Sequence, residues 1–172
     1  GGFRMGETTE KTKIEKRPEE RVISLLLERG LKISTAESCT GGLVAATLVN
    51  VPGASEVFEE GYVTYSNKAK RKNLGVKKTT LKEYGAVSKQ TAKEMCCGCL
   101  KAAKADVALS VTGIAGPDGG TEEKPVGLVY IGCCFQGKTK VIRCQFEGDR
   151  SEIRAQSVQE ALVLAEHCIL AN

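Results

Sequence analysis

Tryptophan is absent from this chain of 172 residues, histidine occurs once, and aromatic residues make up only 5%. So few aromatics leave little on which nucleobases would stack, which argues against a nucleic-acid surface. The one histidine, His167, follows the last apolar turns of a helical stretch, where a cation suits the helix dipole. A Ser-His-Asp triad would have to use that residue, so a serine nucleophile here needs another base. Long apolar runs are also lacking: none reaches the roughly 20 residues of a membrane-spanning helix. The first twenty residues are polar and charged and carry no secretory signal. Together these absences predict a cytoplasmic protein with no membrane segment.

Apolar residues make up 41% and charged ones 27%, the composition of a soluble globular chain whose length suits one domain. The net charge of +4 is mild. Basic residues gather only in "KAKRK" (68–72) and at Lys77 and Lys78, a balance that a small anionic ligand would suit. Eight cysteines are present. Cys96, Cys97 and Cys99 lie in a helical stretch, and Cys133 with Cys134 in an apolar strand, where cysteine acts as a small hydrophobe. Only Cys96 and Cys99 have C-x-x-C spacing, and no second such pair accompanies them. The sequence therefore predicts no metal site, and thiols kept in a reducing compartment.

"GGFR" ahead of Met5 reads as an added remnant, and residues 1–17 as a charged leader. Residues 18–172 form the domain. Pro18, Glu19 and Glu20 open a helix that Gly30 ends. A strand follows over 31–36, a helix over 42–50 and a strand over 58–65. "NKAKRKNLG" reads as a short helix stopped by Gly75. Ser88 caps a helix running to about Ala105. "DVALSVTG" is an apolar strand, and "GLVYIGCCFQ" with "KTKVIRCQF" a hairpin turning at Gln136, Gly137 and Lys138. Gly148 and Asp149 start the last helix. Strands alternating with helices predict an α/β fold: three α/β/α layers on a mainly parallel sheet, with an antiparallel edge hairpin strand.

In such sheets ligands bind beyond the carboxyl ends of the strands. The loops there are "AESCTGG", "TYSNKAK" and "VTGIAGPDGG", all rich in hydroxyls, amides and glycines. Within "TAESCTGG" (35–42) two explanations compete. A Ser or Thr suits a helix N-cap; alternatively Ser38 or Cys39 is a nucleophile beside helix N–H groups able to bind an anion. A lysine can act as the base if burial or neighbouring cations lower its pKa. Lys70 is the candidate and Lys68 its rival, although most such runs are solvated helix faces. Tyr65 could relay a proton or orient Ser38, or be an ordinary strand aromatic. Thr112 and Gly113 could offer N–H groups to an oxyanion or phosphate. Arg150 opposes the dipole at its helix start, which an anionic ligand would offset; the ordinary alternative is a surface pair with Asp149 or Glu152.

"TAESCTGG", "GYVTYSNKAK", "GAVS", "VTGIAGPDGGTEEKPVG" and "GDR" together resemble the CinA C-terminal domain family, in the same order from Leu25 to Leu164. That family includes nicotinamide-mononucleotide amidohydrolases. The resemblance implies deamidation of nicotinamide mononucleotide to nicotinate mononucleotide and ammonia, in pyridine-nucleotide recycling, with no cofactor and with a tendency to homo-oligomerise. It implies Ser-Lys catalysis by Ser38 and Lys70, with Tyr65 assisting. It also implies ligand contacts from Thr40, Gly41, Gly42, Thr112, Gly113 and Arg150. Members often carry an N-terminal domain resembling molybdopterin-binding proteins; this sequence is similar to the stand-alone form. Its cysteine richness departs from the family pattern. Three alternatives stand beside the amidase: a nucleotide-binding module without turnover, a cysteine amidase using Cys39, and a partner protein linked to competence or DNA damage.

Overall fold

A computed structural model of the chain describes residues 16–171. Most of the charged leader lies outside those residues. Six helices and five strands follow in order: α1 (Pro18–Arg29), β1 (Ile33–Glu37), α2 (Leu43–Val49), β2 (Tyr62–Val63), α3 (Asn67–Leu74), α4 (Lys78–Tyr84), α5 (Lys89–Ala103), β3 (Val107–Gly113), β4 (Leu128–Phe135), β5 (Lys138–Gln145) and α6 (Arg150–Leu170). A short 3₁₀ turn, Ala54–Glu56, precedes β2. The strand order is β2-β1-β3-β4-β5. β1 pairs in parallel with β2 and β3, while β4 runs antiparallel to both β3 and β5. Four strands thus share one direction, and the α/β architecture with its antiparallel hairpin at one edge is as the sequence predicts. The reversed strand is the inner member of that hairpin, because β5 turns back beside β4.

Two apolar layers hold the sheet. Val22, Leu26, Leu48, Ile153 and Leu162 pack with Ile33, Leu109 and Ile131 on one face. Leu74, Leu81, Met95 and Cys99 pack with Ala36, Ala108 and Cys134 on the other. The alternation of 107, 109 and 111 against 108 is the period-2 signature of a strand covered on both sides. Gly98 sets how closely α3 approaches α5: a Cβ there would stand 1.8 Å from the Leu74 carbonyl oxygen. Gly98→Ala must therefore push α3 outward. We expect a loss of about 1–3 kcal/mol in denaturant unfolding, the usual effect of overpacking.

The structure departs from the sequence reading in two places. The strand expected over 58–65 is a ladder of two residues. Upstream of it, Phe58 makes an isolated bridge to Ile33, and Ser34 Oγ donates to the Glu60 carbonyl where a backbone donor would otherwise stand. α4 has no side-chain cap and no acid in its first turn, and it carries two β-branched threonines. It is held from outside: Glu94 on α5 accepts from the Lys77 N–H and from Thr80 Oγ1.

Candidate active site

β1 ends at Glu37, and Ser38 continues its line by donating its N–H to the Val111 carbonyl of β3. The chain then turns through Gly41 and Gly42, both at positive φ, into α2. The α2 N-terminus is occupied from behind. Glu37, 1% exposed, accepts from the Val44 N–H at 2.8 Å and the Ala45 N–H at 3.1 Å. The cap is thus a carboxylate seven residues upstream. Ser38 and Thr40 do not cap the helix, and those two N–H groups are not free for an anion. A buried acid on the positive end of a helix is favourable, and it leaves the Ser38 side chain uncommitted to the backbone.

Lys70 reaches Ser38 from α3. Ser66 caps this helix, its Oγ accepting from the Ala69 N–H, and so fixes where the first turn points. Lys68 faces outward, whereas Lys70 is 1% exposed. Lys70 Nζ stands 2.9 Å from Ser38 Oγ and donates to the Thr64 carbonyl at 2.9 Å. Burial holds the Lys70 pKa below the ordinary lysine value, and only an ionised Cys39 would oppose it. The cause is desolvation, since its cationic neighbours in the sequence point elsewhere.

Cys39 borders the same cavity, but its thiol is pushed up to about 11, chiefly by burial. Near neutral pH it carries its proton and packs in the core. Tyr65 is 61% exposed, and its hydroxyl accepts from Arg150 Nη2 at 2.8 Å. Arg150 Nη1 donates to the Gly116 carbonyl. Neither Asp149 nor Glu152 pairs with Arg150; those two form a capping box with each other.

The cavity holds about 200 Å³. Ser38, Lys70 and Arg150 supply its polar groups, with Tyr65, Asn67 and Thr112, and no acid is among the residues lining it. Ala86, Val87 and Ala115 give it apolar walls. Thr112 Oγ1 donates to the Ala86 carbonyl and anchors that wall. The Ile114 N–H bonds to Leu128 on β4. By the alternation of an antiparallel ladder, the Gly113 N–H points the opposite way, past the end of β1, and the Thr112 N–H points to β4. Thr40, Gly41 and Gly42 stand outside the cavity lining, and Thr40 is fully buried. His167 lies in the last turn of α6 and does not line the cavity.

Two residues of this region were not singled out from the sequence. Glu37 is one. Arg154 is the other: its Nε donates to the Cys39 carbonyl and its Nη2 to the Thr40 carbonyl, each at 3.0 Å. A second arginine one turn after Arg150, again near the positive end of α6, was the available signal. Among the described residues no cluster of three or more His, Cys, Asp or Glu side chains could hold a metal ion. No helix among them is long and apolar enough to cross a membrane.

The model of the CinA C-terminal domain matches residues 15–169. The chain belongs to the CinA C-terminal domain family. A CinA-like protein of Kosmotoga olearia is 57% identical over 152 residues, which are 88% of this chain and 37% of that protein. The chain spans only about a third of the length of the curated relatives it matches, such as the 35% covered in a Clostridium perfringens protein. The crystal structure of the competence/damage inducible protein CihA from Agrobacterium tumefaciens is 45% identical, with a TM-score of 0.84 over 87% of this chain and 93% of that one. A CinA superfamily protein from Klebsiella pneumoniae is 37% identical, with a TM-score of 0.87 over 90% and 97%. CinA-family membership and the α/β fold agree with the motifs quoted above.

Proposed function

We propose that the chain hydrolyses the carboxamide of nicotinamide mononucleotide to nicotinate mononucleotide and ammonia, by a Ser-Lys mechanism. The observation that carries this reading is the buried Lys70 amine 2.9 Å from Ser38 Oγ. With its pKa lowered, the neutral amine keeps a lone pair for the Ser38 proton while the Thr64 carbonyl holds one of its N–H groups. Ser38 Oγ then attacks the carboxamide carbon. The Gly113 N–H supports the oxyanion. Lys70 returns the proton to the departing ammonia, leaving an ester on Ser38. Water, deprotonated by the same lysine, releases the acid and regenerates the serine. The apolar walls suit a pyridine ring, and a cavity without acids suits a substrate bearing phosphate. The volume, below the roughly 300–1,000 Å³ usual for drug-sized ligands, takes the ring inside and leaves the ribose phosphate at the rim.

The direct test is ammonia release from nicotinamide mononucleotide by the purified chain. Binding without turnover would instead identify a nucleotide-binding module. Arg150, at the rim, is the phosphate contact in this reading. Arg150→Ala should lower kcat/KM for the nucleotide about tenfold or more, since a charge-assisted hydrogen bond contributes roughly 1.5–3 kcal/mol. Nicotinamide riboside, which has no phosphate, should be a poor substrate for both proteins and lose little further. If both substrates fall equally, Arg150 acts at the amide end or through Tyr65 and Gly116.

A further inference from the structure

Cys97 and Cys134 meet where α5 packs on β4, and neither lines the cavity. Their sulfurs are 3.9 Å apart. Thr139 Oγ1, on β5, stands 3.3 Å from Cys97 Sγ and 3.6 Å from Cys134 Sγ, so one hydroxyl can donate to either sulfur. Cys97 is half-buried and within reach of solvent, whereas Cys134 is 5% exposed. The other cysteines of α5 are differently placed. Cys96 is fully buried and its thiol donates to the Lys93 carbonyl; Cys99 is fully buried and donates to Ser34 Oγ.

We propose that Cys97 and Cys134 are a peroxide-reactive dithiol, with Cys97 the sulfur oxidised first and Cys134 the one that resolves it. Cys97 thiolate attacks one oxygen of hydrogen peroxide, the O–O bond breaks, and hydroxide leaves, giving a sulfenic acid. Cys134 sulfur then attacks the Cys97 sulfur. The S–OH bond breaks, and hydroxide leaves with the Cys134 proton as water. In sum, two thiols and one peroxide give one disulfide and two waters, with two electrons passing from the sulfurs to the peroxide oxygens. Thr139 supports whichever sulfur is the anion at each stage. Hydrogen bonds of its sulfur with Thr139 and Cys134, with the Lys93 ammonium nearby, hold the Cys97 thiol below the ordinary value against its partial burial, whereas burial raises that of Cys134. The roles follow from access, since peroxide can reach the half-buried Cys97 and not the buried Cys134, and the asymmetry of the two thiols agrees with that. Closing the bond takes the sulfurs from 3.9 Å to about 2.05 Å. The bond would form beside Gly98, the seat of the helix that carries Lys70.

The test is peptide mapping of the whole chain after brief treatment with a small excess of hydrogen peroxide and alkylation of the remaining thiols. The expected product is a peptide containing Cys97 joined to one containing Cys134, and a thiol reductant should separate them. In Cys134→Ser the sulfenic acid should persist on Cys97 and be trapped by dimedone. In Cys97→Ser peroxide consumption should slow at least tenfold. The proposal is overturned if Cys97 stays reduced while other thiols oxidise. A Cys97 joined to Cys96 instead of Cys134 overturns it equally. The mapping of the unaltered chain decides between these outcomes even if a variant fails to fold.

Discussion

Ser38→Ala is expected to lose turnover of nicotinamide mononucleotide by roughly four to six orders of magnitude, the scale seen when a serine nucleophile is removed. The fold should survive. The hydroxyl is one of two Lys70 partners, and the Thr64 carbonyl keeps the other hydrogen bond. The loss of stability should be about 1–3 kcal/mol, the usual effect of leaving one buried polar atom short of a partner. Cys39→Ala is the matched control. Its thiol is held protonated by burial and packs in the core, so the variant should keep most of its activity and lose some stability. Measuring kcat for both variants, with unfolding curves for each, separates the two candidate nucleophiles. An inactive Cys39→Ala beside an active Ser38→Ala would overturn the serine mechanism.

The contrast between these neighbours shows what the sequence carried and what it did not. Hydroxyl-rich loops at the ends of apolar strands are a local pattern, so the convergence of 35–42, 65–70 and 112–116 was legible from their place at the carboxyl ends of strands in a mainly parallel sheet. Which of two adjacent side chains meets Lys70 depends on where β1 ends, and that is set by the Ser38 N–H bond to Val111 across the sheet. Lys70 and Lys68 differ by two positions in one charged run, and only the docking of α3 on α5 decides which is buried. Glu37 and Arg154 were illegible for the same reason. Each holds the loop around Ser38 through backbone groups 7 to 115 residues away in the chain. Arg150 showed the limit of a charge rule. Its cost at a helix start is met by hydrogen bonds to Tyr65 and Gly116, neither of them anionic, with the Asp149–Glu152 capping box beside it.

Lys70→Met should abolish turnover to a similar extent, because no histidine lines the cavity to take its place. Lys68→Ala should have little effect, since Lys68 is exposed. The unaltered protein should show activity rising with pH as Lys70 loses its proton, with the midpoint below the ordinary value of 10.5. The same group makes a prediction for stability. Its pKa is lowered in the folded state, so between that value and 10.5 the unfolded chain binds more protons than the folded one. Stability must then rise with pH across that window and level off above it. Below the window the folded protein bears the full cost of burying an ammonium. Methionine fills similar space with no charge to bury, and its thioether leaves only the Thr64 carbonyl and Ser38 hydroxyl to find other donors. Lys70→Met should therefore lose the Lys70 contribution to this rise. Its stability relative to the unaltered protein should be greatest near neutral pH and shrink as pH climbs. Urea unfolding of both proteins at several pH values reads this difference directly. A difference that stays constant with pH would mean that Lys70 is charged or neutral alike in both states, and the neutral amine needed to take the Ser38 proton would have no support.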